Sequence, residues 1–115
     1  IIMANSFKNK KVDLTSTSAT TLYTVPTATT AVVKSILVSE DSGNADTITI
    51  TLTDSDAAVF SLFKTKAISA NATTELLTVP LVVEEDEIVK VTAATANRLH
   101  VVMSVLEIKP REVIT

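Results

Sequence analysis

Short stretches of alternating apolar and polar residues cover much of the 115-residue chain. The clearest is DTITITLTD, residues 46–54, in which Ile48, Ile50 and Leu52 alternate with threonines. A period of two places the apolar side chains on one face of a β-strand and the threonines on the other. The other predicted strands are 31–39, 57–67, 75–79, 88–94 and 99–109.

Polar, turn-forming segments separate these stretches, at 40–46, 69–74, 84–87 and 95–98. In the segment 84–87, Asp86 is the residue best able to adopt a left-handed backbone. No stretch shows the i, i+3, i+4, i+7 spacing of an amphipathic helix. The pattern therefore predicts an all-β protein: a single antiparallel β-sandwich, jelly-roll or immunoglobulin-like, of seven to eight strands.

Alternation also assigns side chains to faces of the sheets. In 31–39, one face is expected to carry Val32, Ile36 and Val38, with Lys34 as the exception, and the other Val33 and Leu37. Later in the chain, the residues expected to face the core are Val89, Val91, Ala93, Leu99, Val101, Met103 and Val105. The apolar residues Val102, Leu106 and Ile108 then line the opposite face of the last strand. Strands that are apolar on both faces indicate either a sheet covered by another segment, such as the N-terminal arm, or a contact between subunits, and an excess of outward apolar side chains favours assembly.

The tripeptide Thr-Val-Pro occurs twice, at residues 24–26 and 78–80. The sequences on either side differ, so a tandem duplication does not explain the repeat. Proline has no backbone N–H and is tolerated where strand pairing stops. Both copies are therefore predicted to end or bend a strand at the rim of the sandwich.

Composition narrows the candidate chemistry. The chain contains no cysteine, which excludes disulfides, thiolate zinc sites and cysteine nucleophiles. The lone His100, the aspartates of 40–56 and the acidic run 84–87 form no recognisable metal or catalytic pattern. The sequence predicts a protein that is not an enzyme and has no cofactor, metal or small-molecule substrate. No apolar run approaches the roughly 18 residues that span a membrane, and the start of the chain does not resemble a signal peptide.

Charge is distributed unevenly along the chain, whose net charge is −3. We predict an N-terminal arm over residues 1–15, which holds three lysines and one aspartate, followed by a β-sandwich domain over 16–115. Such an arm suits an acidic partner surface. The rest of the chain lacks interleaved basic and aromatic residues, so nucleic acid is not an expected partner. A receptor- or glycan-binding module stays open as an alternative, with Tyr23 and the loops 40–46 and 54–58 as its candidate contacts.

The stretches LYTVPTATTAVVKSILVSE (22–40) and LTVPLVVEEDEIVKVTAATANRLHVVMSVLEI (77–108) resemble a group of small virion proteins of tailed bacteriophages. The pattern of that group opens with YTVPAGTTAIVKSI and ends with PLVLEAGDTLKVTASAANALHVTVSVLEI. The opening MANSFKNKKVDLTSTSATTLYTVP also resembles proteins of large marine phages. Two turns depart from the pattern, since Ala28 replaces a glycine and EEDE replaces EAGD. Leu37 stands where relatives often carry a polar or charged residue.

The resemblance spans roughly residues 4–108 and implies a virion location, with the outer capsid surface favoured. It implies a capsid decoration, or cement, protein whose partner is the major capsid protein and whose copies form a homo-oligomer, with a trimer favoured. We expect Phe7, Lys8, Lys10 and Lys11 to contact the capsid and Leu37, Val102 and Leu106 to form the oligomer interface. The alternative within the same family is a tail, neck or fibre component.

Overall fold

The computed structural model describes the backbone of residues 2–111 and the side chains of residues 5–109. It contains nine strands and, in the described part, no helix. The strands are β1 (Ile2–Asp13), β2 (Thr20–Thr24), β3 (Thr30–Glu40), β4 (Asp46–Thr53), β5 (Val59–Ile68), β6 (Thr73–Glu75), β7 (Leu81–Val83), β8 (Ile88–Ala93) and β9 (Leu99–Arg111). The predicted all-β class is confirmed, with nine strands instead of seven to eight. The predicted domain limits Ile1 and Thr115 lie outside the described residues.

The strands form two antiparallel sheets. The five-stranded sheet has the order β1-β9-β3, and β6 and β7 both pair with the far side of β3. The four-stranded sheet has the order β2-β8-β4-β5. The molecule is elongated, with extents of 58 × 26 × 23 Å.

The core lies between the sheets and follows the period of two. Ile48 and Ile50 of β4 are fully buried, as predicted, and Val89, Val91 and Ala93 of β8 face them from the neighbouring strand. The residues of β9 expected inside, Leu99, Val101, Met103 and Val105, are buried as well. This face assignment is therefore confirmed for the central strands of both sheets.

A β-bulge changes the expected faces of β3. The pairing of β3 with β9 shifts between Val33 and Ser35, so Lys34 is an extra residue with no partner in β9. One extra residue reverses the alternation, because successive side chains point to opposite faces. Val33 is consequently buried with Ile36 and Val38, whereas Val32 joins Leu37 on the outer face. The prediction that grouped Val32 with Ile36 and Val38 was wrong.

The segment 75–79, which was predicted as a strand, is mostly a connection between two short strands. The chain forms β6 only as far as Glu75, crosses to β7 through residues 76–80, and resumes pairing at Leu81. The second Thr-Val-Pro therefore precedes a strand, and its Val79 is exposed, whereas the first copy follows β2 and its Val25 is buried. The two copies are not structural equivalents, and only the first one ends a strand as predicted.

Several turns hold a non-glycine residue at positive φ. Asp86 does so, at 65°, as the sequence predicts, and Ala28, which replaces the glycine of the resembling proteins, has a φ of 58°. Ala57, Asn71 and Asn97 adopt similar values. The single glycine, Gly43, has a φ of 82°. This chain therefore forms most of its left-handed turn positions from residues other than glycine.

The segment predicted as an arm is a strand of the five-stranded sheet. Residues 2–13 form β1 and pair with β9 from Ile2 opposite Arg111 to Asp13 opposite His100, without a register shift. The next residues turn back toward the core, where Leu14 is buried and its N–H donates to the carbonyl of Leu99 at 3.0 Å. The described residues contain no helix that could span a membrane.

Candidate interaction surface

An apolar row crosses the outer face of the five-stranded sheet. Phe7 on β1 lies opposite Leu106 on β9, Leu106 opposite Val32 on β3, and Val32 opposite Val82 on β7. Residues directly opposite each other in a sheet project from the same face and are close neighbours. Phe7 is 77% exposed and Val82 is 56% exposed, so both ends of the row are open to solvent.

A second row lies beside the first. Val102 on β9 is opposite Leu37 on β3 and Lys11 on β1, and Leu37 is opposite Glu75 on β6. Val102 and Leu37 are 37% and 39% exposed. The three residues expected at an oligomer interface, Leu37, Val102 and Leu106, are thus brought together on one face, because Leu37 lies directly opposite Val102, and Val102 and Leu106 project from the same face of β9.

Polar and charged groups lie between and beside the apolar rows. Ser35 and Ser104 face each other across its middle, while Lys11 and Glu75 stand on its outer strands. The Glu75 carboxylate accepts a hydrogen bond from the N–H of Ile36 at 2.9 Å. The exposed Lys34 stands at the bulge of β3 beside Ser35, between the two apolar rows. Apolar side chains bordered by polar and charged groups are typical of protein–protein contact surfaces. We call the set Phe7, Val32, Leu37, Val82, Val102 and Leu106 the outer apolar face.

The lysines of β1 do not share one face. Lys11 lies on the same side as Phe7, whereas Lys8 and Lys10 point toward the four-stranded sheet. The Lys8 ammonium is 3.0 Å from Oε1 of Glu107, and the Lys10 ammonium is 5.6 Å from the centre of the Tyr23 ring. Of the four expected capsid contacts, the structure therefore presents Phe7 and Lys11 together and directs Lys8 and Lys10 elsewhere.

Glu107 is a buried carboxylate, 1% exposed, at the end of the inward-facing series of β9. Its Oε2 accepts a hydrogen bond from the hydroxyl of Tyr23 at 2.5 Å. Its Oε1 meets the Lys8 ammonium as an ion pair but receives no well-directed hydrogen bond among the described residues. Glu107 was not predicted as a site residue, although the alternation of Met103 and Val105 continues directly to it.

The surroundings of Glu107 change two pKa values. Burial by itself raises the pKa of the Glu107 carboxyl, but the Tyr23 hydrogen bond and the charges of Lys8 and Lys109 outweigh it and lower that pKa below its usual value. Burial raises the pKa of the Tyr23 phenol far above its usual range, and the Glu107 carboxylate adds to the shift. Glu107 is therefore charged and Tyr23 neutral at neutral pH.

Tyr23 is 3% exposed, so its ring is not available for stacking on a sugar. The glycan-binding alternative that used Tyr23 was wrong about this residue. Its phenol instead joins the two sheets, because Tyr23 belongs to β2 and Glu107 to β9.

A second buried carboxylate, Glu40, organises two turns at the other end of the sandwich. Its oxygens accept hydrogen bonds from the N–H groups of Ser42 at 2.8 Å, Gly43 at 3.1 Å and Asn71 at 3.0 Å, and from the Ser42 hydroxyl. Burial by itself raises the pKa of Glu40, but these hydrogen bonds outweigh it and lower the pKa to about 2. The alternation of Ile36 and Val38 reaches Glu40, which was the available sequence signal.

The aspartates of residues 46–54 accept hydrogen bonds from the backbone of nearby turns. Oδ1 of Asp54 accepts from the N–H groups of Asp56 and Ala58, both at 2.9 Å, and Oδ2 of Asp46 accepts from Thr95 at 3.1 Å. His100 is half-exposed, with Nε2 3.1 Å from Asp13 and Nδ1 3.6 Å from Asp41. Among the side chains of residues 5–109, no three metal-ligating groups converge on one point.

Comparison with known proteins gives a likeness of fold only. No protein-family model matches the sequence, and no curated protein matches it. A solved chain from Bacillus endospore appendages, described as a family of disulfide-linked pili, has a TM-score of 0.56 and 11% identity, covering 94% of this chain and 89% of that one. A chain of the cyanophage Pam1 capsid asymmetric unit has a TM-score of 0.42 and 21% identity, covering 94% and 85%. The first shares the overall β architecture of this protein, and the second is too distant in structure to support an argument.

Proposed function

We propose that this chain is a structural protein of a tailed-phage virion that binds the outer capsid lattice as a decoration protein. The observation that carries the proposal is the outer apolar face, a group of neighbouring apolar side chains that extends across four strands of a small domain. Exposed apolar patches of this kind mark sites of contact with other proteins. The sequence resemblance described above, over roughly residues 4–108, supplies the virion context.

The proposed role is binding without catalysis. The capsid contacts we propose are Phe7 and Lys11, because they lie together on the outer face, whereas Lys8 and Lys10 point to the other side of β1 and contact Glu107 and Tyr23. Leu37, Val102 and Leu106 form the proposed contact between copies in a homo-oligomer on the capsid. Many weak contacts repeated over a lattice bind collectively through avidity, so each one requires only modest affinity.

The copy number of the chain in purified virions tests this proposal. Quantitative mass spectrometry with isotope-labelled peptides gives the ratio of this chain to the major capsid protein. Hundreds of copies per particle, in a simple ratio to the capsid protein, are the expected result. A copy number between six and a few dozen would instead assign the chain to the neck, tail or fibres and would overturn the decoration role.

A matched binding experiment tests the contact residues. Capsids that lack the chain are incubated with purified wild-type protein, with Leu37→Lys, and with Lys66→Ala as a control on the exposed part of β5 in the other sheet. We expect Leu37→Lys to reduce saturation of the capsids and Lys66→Ala to leave it unchanged. Equal saturation by all three proteins would show that the outer apolar face does not take part.

A further inference from the structure

The outer edge of β1 is the longest regular sheet edge of the described protein. Twelve residues pair with β9 on one side, and no strand among residues 2–111 pairs with the other. Such an edge presents a row of unpaired N–H and C=O groups that can receive another strand.

The other edges of the two sheets lack this regularity. β5 is interrupted by two register shifts against β4, and its Thr65 has a φ of 49°. β2 has five residues and a register shift, and β6 and β7 have three residues each. Bulges, very short strands and lysine side chains all protect an edge against further pairing. β1 has no bulge and is not short, but it carries Lys8, Lys10 and Lys11, so a second strand can pair with it only in a register that keeps the lysines of the two strands apart.

We propose that two copies of this protein pair antiparallel through the outer edges of their β1 strands, about a two-fold axis that passes through Phe7. The two five-stranded sheets then become one continuous sheet. This inference concerns self-association alone and does not depend on the proposed function.

Alternation restricts the possible registers. Directly opposite residues share a face, so a two-fold axis perpendicular to the sheet must pass through a residue that faces its own copy. Axes through Lys8, Lys10 or Lys11 place a lysine opposite itself, and an axis through Asn9 places Lys8 opposite Lys10. Like charges directly opposite each other destabilise a sheet. These four registers are therefore disfavoured.

An axis through Phe7 avoids this repulsion and retains almost the whole strand. It pairs residues 2–12 of both copies, with Lys8 opposite Ser6 and Asn5 opposite Asn9. The closest lysines of the two copies are then the Lys8 pair, and each is already neutralised by its own Glu107 at 3.0 Å. An axis through Ser6 also separates the lysines, but it shortens the overlap to residues 2–10 and sets Phe7 opposite Asn5.

The register through Phe7 also continues the outer apolar face. Phe7 lies at one end of the row Phe7, Leu106, Val32 and Val82 and is the most exposed of the large apolar residues. When Phe7 lies opposite Phe7 of the second copy, the rows of the two copies form one row across the two five-stranded sheets. Aromatic residues directly opposite each other form stabilising cross-strand pairs. Phe7 is thus the axis position that best separates the lysines of the two copies, and it is also the large apolar residue with the highest exposure.

Cysteine crosslinking tests the register, since the sequence contains no cysteine of its own. The single variants Ser6→Cys, Phe7→Cys and Asn9→Cys all alter exposed positions of β1. A disulfide requires Cβ atoms about 4 Å apart, so only the residue on the axis, which lies directly opposite its own copy, crosslinks rapidly. Under mild oxidation we expect a covalent dimer from Phe7→Cys and much slower crosslinking from the other two. Faster crosslinking of Ser6→Cys or Asn9→Cys, or equal rates for all three, would overturn the proposal.

Sedimentation velocity tests the association itself, over concentrations up to about 1 mM, because small interfaces are weak. Wild-type protein is expected to dimerise reversibly. Ser6→Lys sets a lysine opposite Lys8 twice and is expected to weaken the dimer about tenfold. Ser61→Lys introduces the same charge at an exposed position of β5 in the other sheet and is expected to leave the dimer unchanged. A monomeric wild type, or equal weakening by both variants with unchanged circular dichroism, would refute pairing through β1.

Discussion

Glu40 holds two neighbouring turns through a single carboxylate. Its partners lie in the loop after β3 and in the turn before β6, and the N–H of Glu40 itself donates to the carbonyl of Ala72 at 2.9 Å. Four donors converge on the charged form of the carboxyl, which explains why its pKa falls to about 2 despite burial.

This pKa makes stability dependent on pH in a defined range. Because the folded pKa of about 2 lies below the ordinary value of 4.5, Glu40 stabilises the fold above about pH 4.5 and this contribution is lost as the pH falls toward 2. We expect the free energy of unfolding of Glu40→Gln to decrease less than that of wild type between pH 4.5 and 2. Urea unfolding at several pH values measures both, and parallel curves would contradict this role.

Tyr23 and Glu107 form a buried pair between the sheets. Tyr23→Phe retains the ring but leaves Oε2 of Glu107 without its donor, and losing a hydrogen bond to a buried charged group costs about 1.5–3 kcal/mol. We expect urea unfolding to show a loss in this range. Lys10→Met serves as the control, because it alters a contact with the same ring and costs at most about 1 kcal/mol. A loss below about 0.5 kcal/mol for Tyr23→Phe would contradict the assignment.

Adjacent alanines in the turn before β5 provide a matched test of backbone strain. Ala57 has a φ of 66°, whereas Ala58 is not among the residues at positive φ. A left-handed backbone costs an alanine about 1 kcal/mol that glycine does not incur. We expect Ala57→Gly to raise the free energy of unfolding by up to about 1 kcal/mol and Ala58→Gly to lower it. Equal effects of the two substitutions in thermal unfolding would contradict this explanation.

At the scale of the element, the bulge at Lys34 determines which residues of β3 belong to the outer apolar face. It allows Val33 and Ile36 to be buried together and turns Val32 and Leu37 toward solvent. The bulge therefore contributes both to the core and to the candidate interaction surface.

Deletion of Lys34 tests this role. Without the extra residue, the part of β3 before the bulge either turns Val33 outward or shifts its pairing with β9. We expect the deletion to lower the free energy of unfolding by more than about 3 kcal/mol, while Lys34→Ala, which retains the residue count, stays within about 0.5 kcal/mol of wild type. Chemical denaturation distinguishes the two, and a deletion as mild as the alanine variant would show that β3 does not depend on the bulge.

The strands whose buried faces were predicted correctly have strictly alternating apolar and polar residues. The sequence around Ile48 and Ile50 or around Val89 and Val91 admits one assignment of faces, because a shift by one residue would expose the core. β1 was not predicted as a strand, since its only apolar residue between Asn5 and Lys11 is Phe7, and its pairing depends on β9, about a hundred positions away. Local sequence does not contain that information.

The candidate surface could be predicted only in part, because it also depends on pairing between strands that are distant in the sequence. Leu106 and Val102 followed from the alternation of β9, but the pairing of Leu106 with Phe7 and Val32 depends on the order of strands in the sheet. The inward direction of Lys8 also depends on tertiary structure, because it requires the buried Glu107 beneath the strand. Sequence patterns identified the apolar residues, whereas the register decided which of them are neighbours.

At the scale of the whole molecule, the chain order of the five-stranded sheet differs from its spatial order. β9 is the last strand of the chain, yet it lies between β1 and β3 and pairs with both. During synthesis, β1 therefore has no partner until residues 99–111 have left the ribosome. Pairing of such distant segments is slow, in the range of milliseconds to seconds. This sheet consequently cannot form before β9 has been synthesised, and a ribosome stalled before Leu99 carries a nascent chain in which the sheet has not formed.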